Sequence, residues 1–268
     1  MSVYGNYTLH ESLEYSVGGG EWKKLQADAA ISFGGAAGDL RMRGKSAGGM
    51  AKGSAEYAYI VFGYDNVKVS CSGDIRTLVD YESPTTIDTS EARFSYLFQN
   101  CSVLTKAPAL PAEKLSDYCY EGMFSGCTSL TSAPALAAET LAAGCYYGMF
   151  SGCTSLASAP ALAAETLADY CYTYMFSGCT SLTSAPALAA TTLVKGCYAC
   201  MFSGCEDLTS VTMLATDILA KECLHGWLEK VSETGTFNKA AEMDVNKFFI
   251  GPSGIPSGWT VKNYDSQQ

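Results

Sequence analysis

The octapeptide MFSGCTSL stands at residues 123–130, 149–156 and 175–182, and a near copy, MFSGCEDL, at 201–208. The step is 26 residues each time. No other feature limits the fold as much. A repeat of this length is one supersecondary unit that cannot bury its apolar stripe alone, so successive copies have to stack. Aligned on the step, Leu104, Leu130, Leu156, Leu182 and Leu208 fall in one column, and Pro108, Pro134, Pro160 and Pro186 in the next, with Thr212 at the last copy. Leu110, Leu136, Leu162, Leu188 and Leu214 follow, then Leu115, Leu141, Leu167, Leu193 and Leu219. Cysteines make two columns, Cys119–Cys145–Cys171–Cys197–Cys223 and Cys101–Cys127–Cys153–Cys179–Cys205. Tyr120, Tyr146, Tyr172 and Tyr198 make one column, and Phe98, Phe124, Phe150, Phe176 and Phe202 another.

Within a copy, LTSAPAL reads as extended, because proline disfavours helix at the residue before it and donates nothing to a central ladder. AETLAAGCYYGMF reads as a helix, with Leu141, Cys145, Tyr146 and Met149 at helical spacing. The glycines Gly126, Gly152, Gly178 and Gly204 suit its C-terminal end. Residues 1–93 lack the period and alternate in short pieces such as YAYIVF and VKVSC between glycine-rich breaks, which predicts an antiparallel β-sandwich. The expected fold class is therefore α+β: a β-sandwich over 1–93, a right-handed leucine-rich-repeat solenoid of about five turns over 94–228, and a C-terminal cap over 229–268. Trp227, Phe237, Phe248, Phe249 and Trp259 supply material to cover the last turn.

Composition excludes several classes of function. Hydrophobic residues make up 48% and charged residues 16% of the chain, enough apolar material for a core. The formal net charge is −10, and no lysine or arginine falls between Lys114 and Lys195. A nucleic-acid binder needs a cationic stripe to displace counterions, and an anionic membrane needs one too. No apolar run is long enough for a transmembrane helix, so membrane insertion is not expected. The N-terminus, MSVYGNYTLHESLEYS, shows no basic segment followed by an apolar one, so no secretory signal is read there.

Twelve cysteines invite a disulfide or metal reading. With a helix between them, Cys119 and Cys127 would lie ~12 Å apart. Cysteines on neighbouring helices would lie roughly 8–10 Å apart, beyond the ~7 Å Cα limit of a disulfide. CYAC at 197–200 has no second pair or histidine cluster beside it, so zinc is not expected. The column cysteines read as small buried fillers; Cys71 and Cys200 stand outside the columns. His10 and His225 have no nucleophile elbow near them, and GGAAGDL lacks the lysine of a phosphate loop. No catalytic residue, cofactor or metal is nominated, and the chain reads as a non-enzyme. Tyrosine gives broad amphipathic contact area at low entropy cost. Tyr120, Tyr146, Tyr172 and Tyr198 are therefore binding candidates, against the alternative that they pack between turns. Columns that vary between copies are candidates too: Glu121, Tyr147 and Thr173 with Tyr174 beside them, and Asp117 with Asp169.

LTSAPALAAETLAAGCYYGMFSGC resembles the BspA-like leucine-rich repeats, over about residues 97–228. ATDI at 215–218 and GIPSGWTV at 254–261 look like the C-terminal cap of that group. The resemblance implies turns built of a leucine-bearing strand and a helix. It also implies either adhesion at a bacterial surface or a place on a phage virion or tail. The expected partner is a protein or a surface glycan, with the N-terminal region joining a virion or surface assembly; a homo-oligomer is also open. A glycan hydrolase with accessory repeats is the reading from another class.

Overall fold

In a computed structural model of the chain, the described residues are 1–7, 13–26, 29–45, 48–63, 67–87, 89, 93–244 and 254–265. His10, Phe248 and Phe249 lie outside them. Among the described residues there is no α-helix, only three short 3-10 turns and eleven short strands. This overturns the α+β expectation. The sheets are small, three strands at most. Neither a β-sandwich over 1–93 nor a leucine-rich-repeat solenoid of strand-and-helix turns describes the chain.

The reason lies in the segment expected to be helical. From Tyr118 to Gly126 the N–H of every second residue leaves its copy: Tyr118, Tyr120, Gly122, Phe124 and Gly126 donate to the carbonyls of Ala143, Cys145, Tyr147, Met149 and Ser151. The intervening residues Cys119, Glu121, Met123, Ser125 and Cys127 donate three positions back within their own copy. The next copy repeats both sets, with Gly144, Tyr146, Gly148, Phe150 and Gly152 donating onward. Successive copies therefore lie side by side in register, bonded through the backbone. A helix uses every N–H inside itself and could not make these bonds.

Such a chain of tight turns needs a left-handed residue at each fourth position. Positive φ occurs at 118, 122 and 126, at 144, 148 and 152, and at 170, 174 and 178. It continues at 196, 200 and 204 and at 222, 226 and 230. Glycine occupies many of these places because a Cβ there is strained. Tyr118, Tyr170, Tyr174, Cys200, Glu222 and Lys230 carry the strain instead. Two side chains then point in and two point out: Cys119 and Tyr120 are buried, Glu121 faces the surface, and Met123 and Phe124 are buried.

Like side chains fall on like side chains. Phe98, Phe124, Phe150, Phe176 and Phe202 form a ladder with ring centroids 5.6 to 5.8 Å apart and planes within 7°. Phe94, Tyr120, Tyr146, Tyr172 and Tyr198 form a second, at 5.8 to 6.1 Å. On the opposite side of each copy the proline-bearing piece is extended. Its contacts are isolated parallel bridges, such as Leu110 with Leu136 and Thr140 with Thr166, because a proline column cannot complete a ladder. Small Ala112, Ala138, Ala164 and Ala190 line the core there. In the last copy the register slips by one. Leu188 faces Met213 and Thr192 faces Asp217, so Met213 and Ile218 take the apolar slots. Leu214 is only half-buried and Leu219 is exposed.

Both ends are covered by strands. β1 (Ser2–Gly5), β6 (Glu56–Val61) and β5 (Ala51–Gly53) make one antiparallel sheet. β3 (Lys23–Lys24), β2 (Glu14–Val17) and β4 (Leu40–Arg43) make another. The first meets the stack directly: Ile60 N–H donates to the Leu97 carbonyl at 2.7 Å, and Phe62 stacks on Phe98. β7 (Val69–Ser70) pairs in parallel with β8 (Leu104–Lys106). At the far end, β9 (Ser210–Met213), β10 (Gly235–Lys239) and β11 (Trp259–Asn263) form a parallel sheet. There Phe237 meets Trp227 edge-on, and the Trp259 indole donates to the Ser232 carbonyl.

Phe150→Ala should cost about 3–5 kcal/mol, read by denaturant unfolding; an unmoved midpoint would contradict the ladder. Glycine variants test the turns. Gly148 has φ +57° and open space around it, whereas a Cβ on Gly144, at the same φ, would run into the Tyr118 ring. Gly148→Ala should cost about 1–2 kcal/mol, and Gly144→Ala about 1–3 kcal/mol more. Adding Tyr118→Ala should return the difference in the Gly144→Ala background alone.

Candidate functional site

The column thiols are structural. Cys127, Cys153, Cys179 and Cys205 each donate from Sγ to the carbonyl of the phenylalanine 29 residues earlier, at 3.0 to 3.1 Å. That carbonyl also accepts from the cysteine N–H of its own copy, as Phe124 does from Cys127. Serine would bring a stronger donor but a poorer apolar filler, so cysteine fits a site that is nearly dry. All twelve cysteines are free, and the ten in the columns are buried. With no helices between them, the spacing argued from helix geometry does not apply. In-register side chains nonetheless stay about as far apart as the 5.6 to 5.8 Å ring spacing beside them, beyond the ~3.8 Å a disulfide needs between Cβ atoms. Burial pushes Cys119 up to about 11 and Cys171 and Cys205 up to about 12. A nucleophilic cysteine requires the opposite shift. Among the described residues no group of His, Cys, Asp and Glu is arranged to hold a metal.

The sequence candidates separate by exposure. Tyr120, Tyr146, Tyr172 and Tyr198 are sealed inside the second ladder, at most 2% exposed, and the Tyr120 hydroxyl is buried without a hydrogen-bond partner. They hold copies together and offer no contact surface. Thr173 is also buried, donating to the Gly196 carbonyl at 2.6 Å. Asp117 and Asp169 are exposed; Asp117 is held by the Ala143 N–H of the next copy at 3.0 Å. Glu121, Tyr147 and Tyr174 reach the surface.

These last three belong to a longer row of tyrosines along one face. Tyr4 lies opposite Tyr59 across β1 and β6, with ring centroids 6.0 Å apart. Tyr59 neighbours Tyr57 at 6.1 Å, and Tyr57 meets Tyr96 of the first copy at 4.7 Å. The Tyr96 hydroxyl hydrogen-bonds the Glu121 carboxylate. Burial raises the Glu121 carboxyl above the usual carboxylate range, and the bond from Tyr96 partly offsets this. Beyond Glu121 come Tyr147 and Tyr174, 5.7 Å apart, and the Tyr174 hydroxyl hydrogen-bonds Cys200. Interplanar angles along the row are 37° to 54°, unlike the nearly parallel buried ladders. A varying sequence column points to Tyr147, with Tyr174 beside it, but not to Tyr4, Tyr57, Tyr59 and Tyr96, which precede the aligned columns. The signal was present in the alternation of tyrosines in YAY at 57–59.

Two other features stand apart. The Arg43 guanidinium lies between Trp22 and Tyr81, 4.0 and 4.2 Å from their rings, and is paired with Glu14 at 2.7 Å. A cavity of about 110 Å³ sits between β6 and the first copy, lined by Phe62, Gln99 and Asn100 among others. It falls well below the ~300 Å³ that a drug-sized ligand needs. Among the described residues no helix is long and apolar enough to cross a membrane. Comparison of the chain with protein-family models, with curated proteins and with solved structures finds no match.

The raised thiols make stability sensitive to alkali. A thiol kept protonated by burial contributes stability that is complete below the ordinary value of 9.0 and is lost as pH rises toward about 12. Each such thiol adds a slope of about 1.4 kcal/mol per pH unit in that window. The melting temperature should fall steeply between pH 9 and 12, and less steeply after Cys171→Ala with Cys205→Ala. In the native protein at pH 8, a thiol reagent should label Cys200 first and the buried columns only on unfolding; rapid labelling of Cys153 would contradict the packing.

Proposed function

We propose that this is a non-enzymatic recognition protein of a phage virion or tail, which meets a bacterial surface or another virion protein through the exposed tyrosine row. The observation that carries the reading is the row itself, amphipathic rings fixed on a backbone whose N–H groups are committed between or within copies. A preorganised surface loses little entropy on binding, and tyrosine presents wide contact area from few rotatable bonds. The likeness of the repeats to BspA-like proteins supports a place at a bacterial or virion surface. The raised thiols support a role without nucleophilic chemistry.

Mass spectrometry of purified virions should find the chain among the particle proteins; recovery from bacterial envelopes alone would favour an adhesin of the cell surface. Labelled protein should bind intact target cells, and Tyr147→Ala with Tyr174→Ala should reduce that binding at least tenfold with the melting temperature unchanged. Undiminished binding would remove the row from the recognition surface.

A further inference from the structure

We propose that the row Tyr4, Tyr59, Tyr57, Tyr96, Tyr147 and Tyr174 is a stacking platform for a neutral oligosaccharide. This deepens the recognition reading and rests on it. Three observations select the ligand class.

The rings come first. Buried tyrosines close face to face, whereas those of the row are tilted against one another, and Tyr4 and Tyr174 are 38% and 40% exposed. Tilted, part-exposed rings leave faces to which the C–H side of a sugar ring can pack, with hydroxyls nearby to hydrogen-bond its edge.

Backbone chemistry comes second. A bound peptide strand draws its affinity from free main-chain N–H and carbonyl groups at a sheet edge. Under the Tyr147 and Tyr174 part of the row, the N–H groups are spent. Gly148 donates to Thr173 and Tyr174 to Ala199, while Tyr147 and Ser151 close turns within their own copy. The surface offers rings and side-chain oxygens in place of a strand template.

Charge comes third. Glu121 stands between Tyr96 and Tyr147 and Asp117 is exposed on the same copy, while the cation of a later copy, Lys195, is drawn to the Tyr170 ring and Asp169. A carboxylate accepts hydrogen bonds from sugar hydroxyls and repels uronate or sulfate groups. Neutral glycans fit this surface and acidic ones do not.

The experiment uses the full chain with a panel of neutral gluco-, manno- and galacto-oligosaccharides and their uronic-acid counterparts, read by saturation-transfer NMR and calorimetry. The expected result is binding of at least one neutral oligosaccharide, with saturation on sugar C–H protons. Tyr147→Ala with Tyr174→Ala should weaken it at least tenfold, and acidic counterparts should bind at least tenfold more weakly. Glu121→Gln should narrow that discrimination without abolishing binding. Absence of binding by every neutral oligosaccharide overturns the proposal, as does a preference for acidic ones. If the chain still coats cells through Tyr147 and Tyr174 after periodate oxidation of surface glycans, and loses them after protease shaving, the ligand is a protein. In that case the glycan class fails while the recognition reading stands.

Discussion

The fold depends on one division of labour in the backbone. Along each repeated segment, one N–H bonds to the next copy and the following N–H closes a turn at home. The first set fixes copies in register, and the second bends the chain tightly enough that every fourth residue must be left-handed. Everything in the core follows from that register. Phenylalanine meets phenylalanine, tyrosine meets tyrosine, and the thiols of Cys127, Cys153, Cys179 and Cys205 each lie within reach of a carbonyl one copy back. Dispersion and burial then stabilise the stack, since these side chains are almost wholly removed from water. The backbone bonds decide the arrangement, and the side chains make it hold.

The 26-residue columns were legible because they are a count of positions, independent of conformation. The conformation inside a copy was not. Two-in, two-out turns repeat every four residues, and over a segment as short as Leu141 to Met149 that pattern is close to the 3.6 of a helix. Glycine distinguishes the two. Gly144, Gly148 and Gly152 recur at a strict spacing of four, which a helix interior would not favour. The one-residue slip at Met213 was hidden for a different reason: Leu214 and Leu219 fit the columns by identity, and only the pairing of Leu188 with Met213 shows otherwise. On the surface, Glu121 and Tyr147 are nominated with Thr173 because their column varies between copies, with Tyr174 beside them, while the constant Tyr120 column is core. Variation loosely tracks exposure: Glu121 and Tyr147 reach the surface, but Thr173 in the same column is buried against the Gly196 carbonyl.

The tyrosine face belongs to both parts of the chain. It begins on β1 and β6, outside the repeats, and crosses to the first copy at Tyr57 and Tyr96. That crossing rests on the same seam where Ile60 bonds to Leu97 and Phe62 caps the phenylalanine ladder. The N-terminal sheet therefore does more than close an open end, because its outward rings lengthen the surface that the copies present.

The rings of Tyr118 and Tyr170 lie where any Cβ on Gly144 or Gly196 would have to be. At this one position bulky and bare copies therefore alternate, along Tyr118, Gly144, Tyr170 and Gly196. A gene encoding such a stack could expand by duplicating two neighbouring copies at once, or by adding a bare one. Duplicating a single tyrosine-bearing copy in place would drive one ring into the backbone carrying the next.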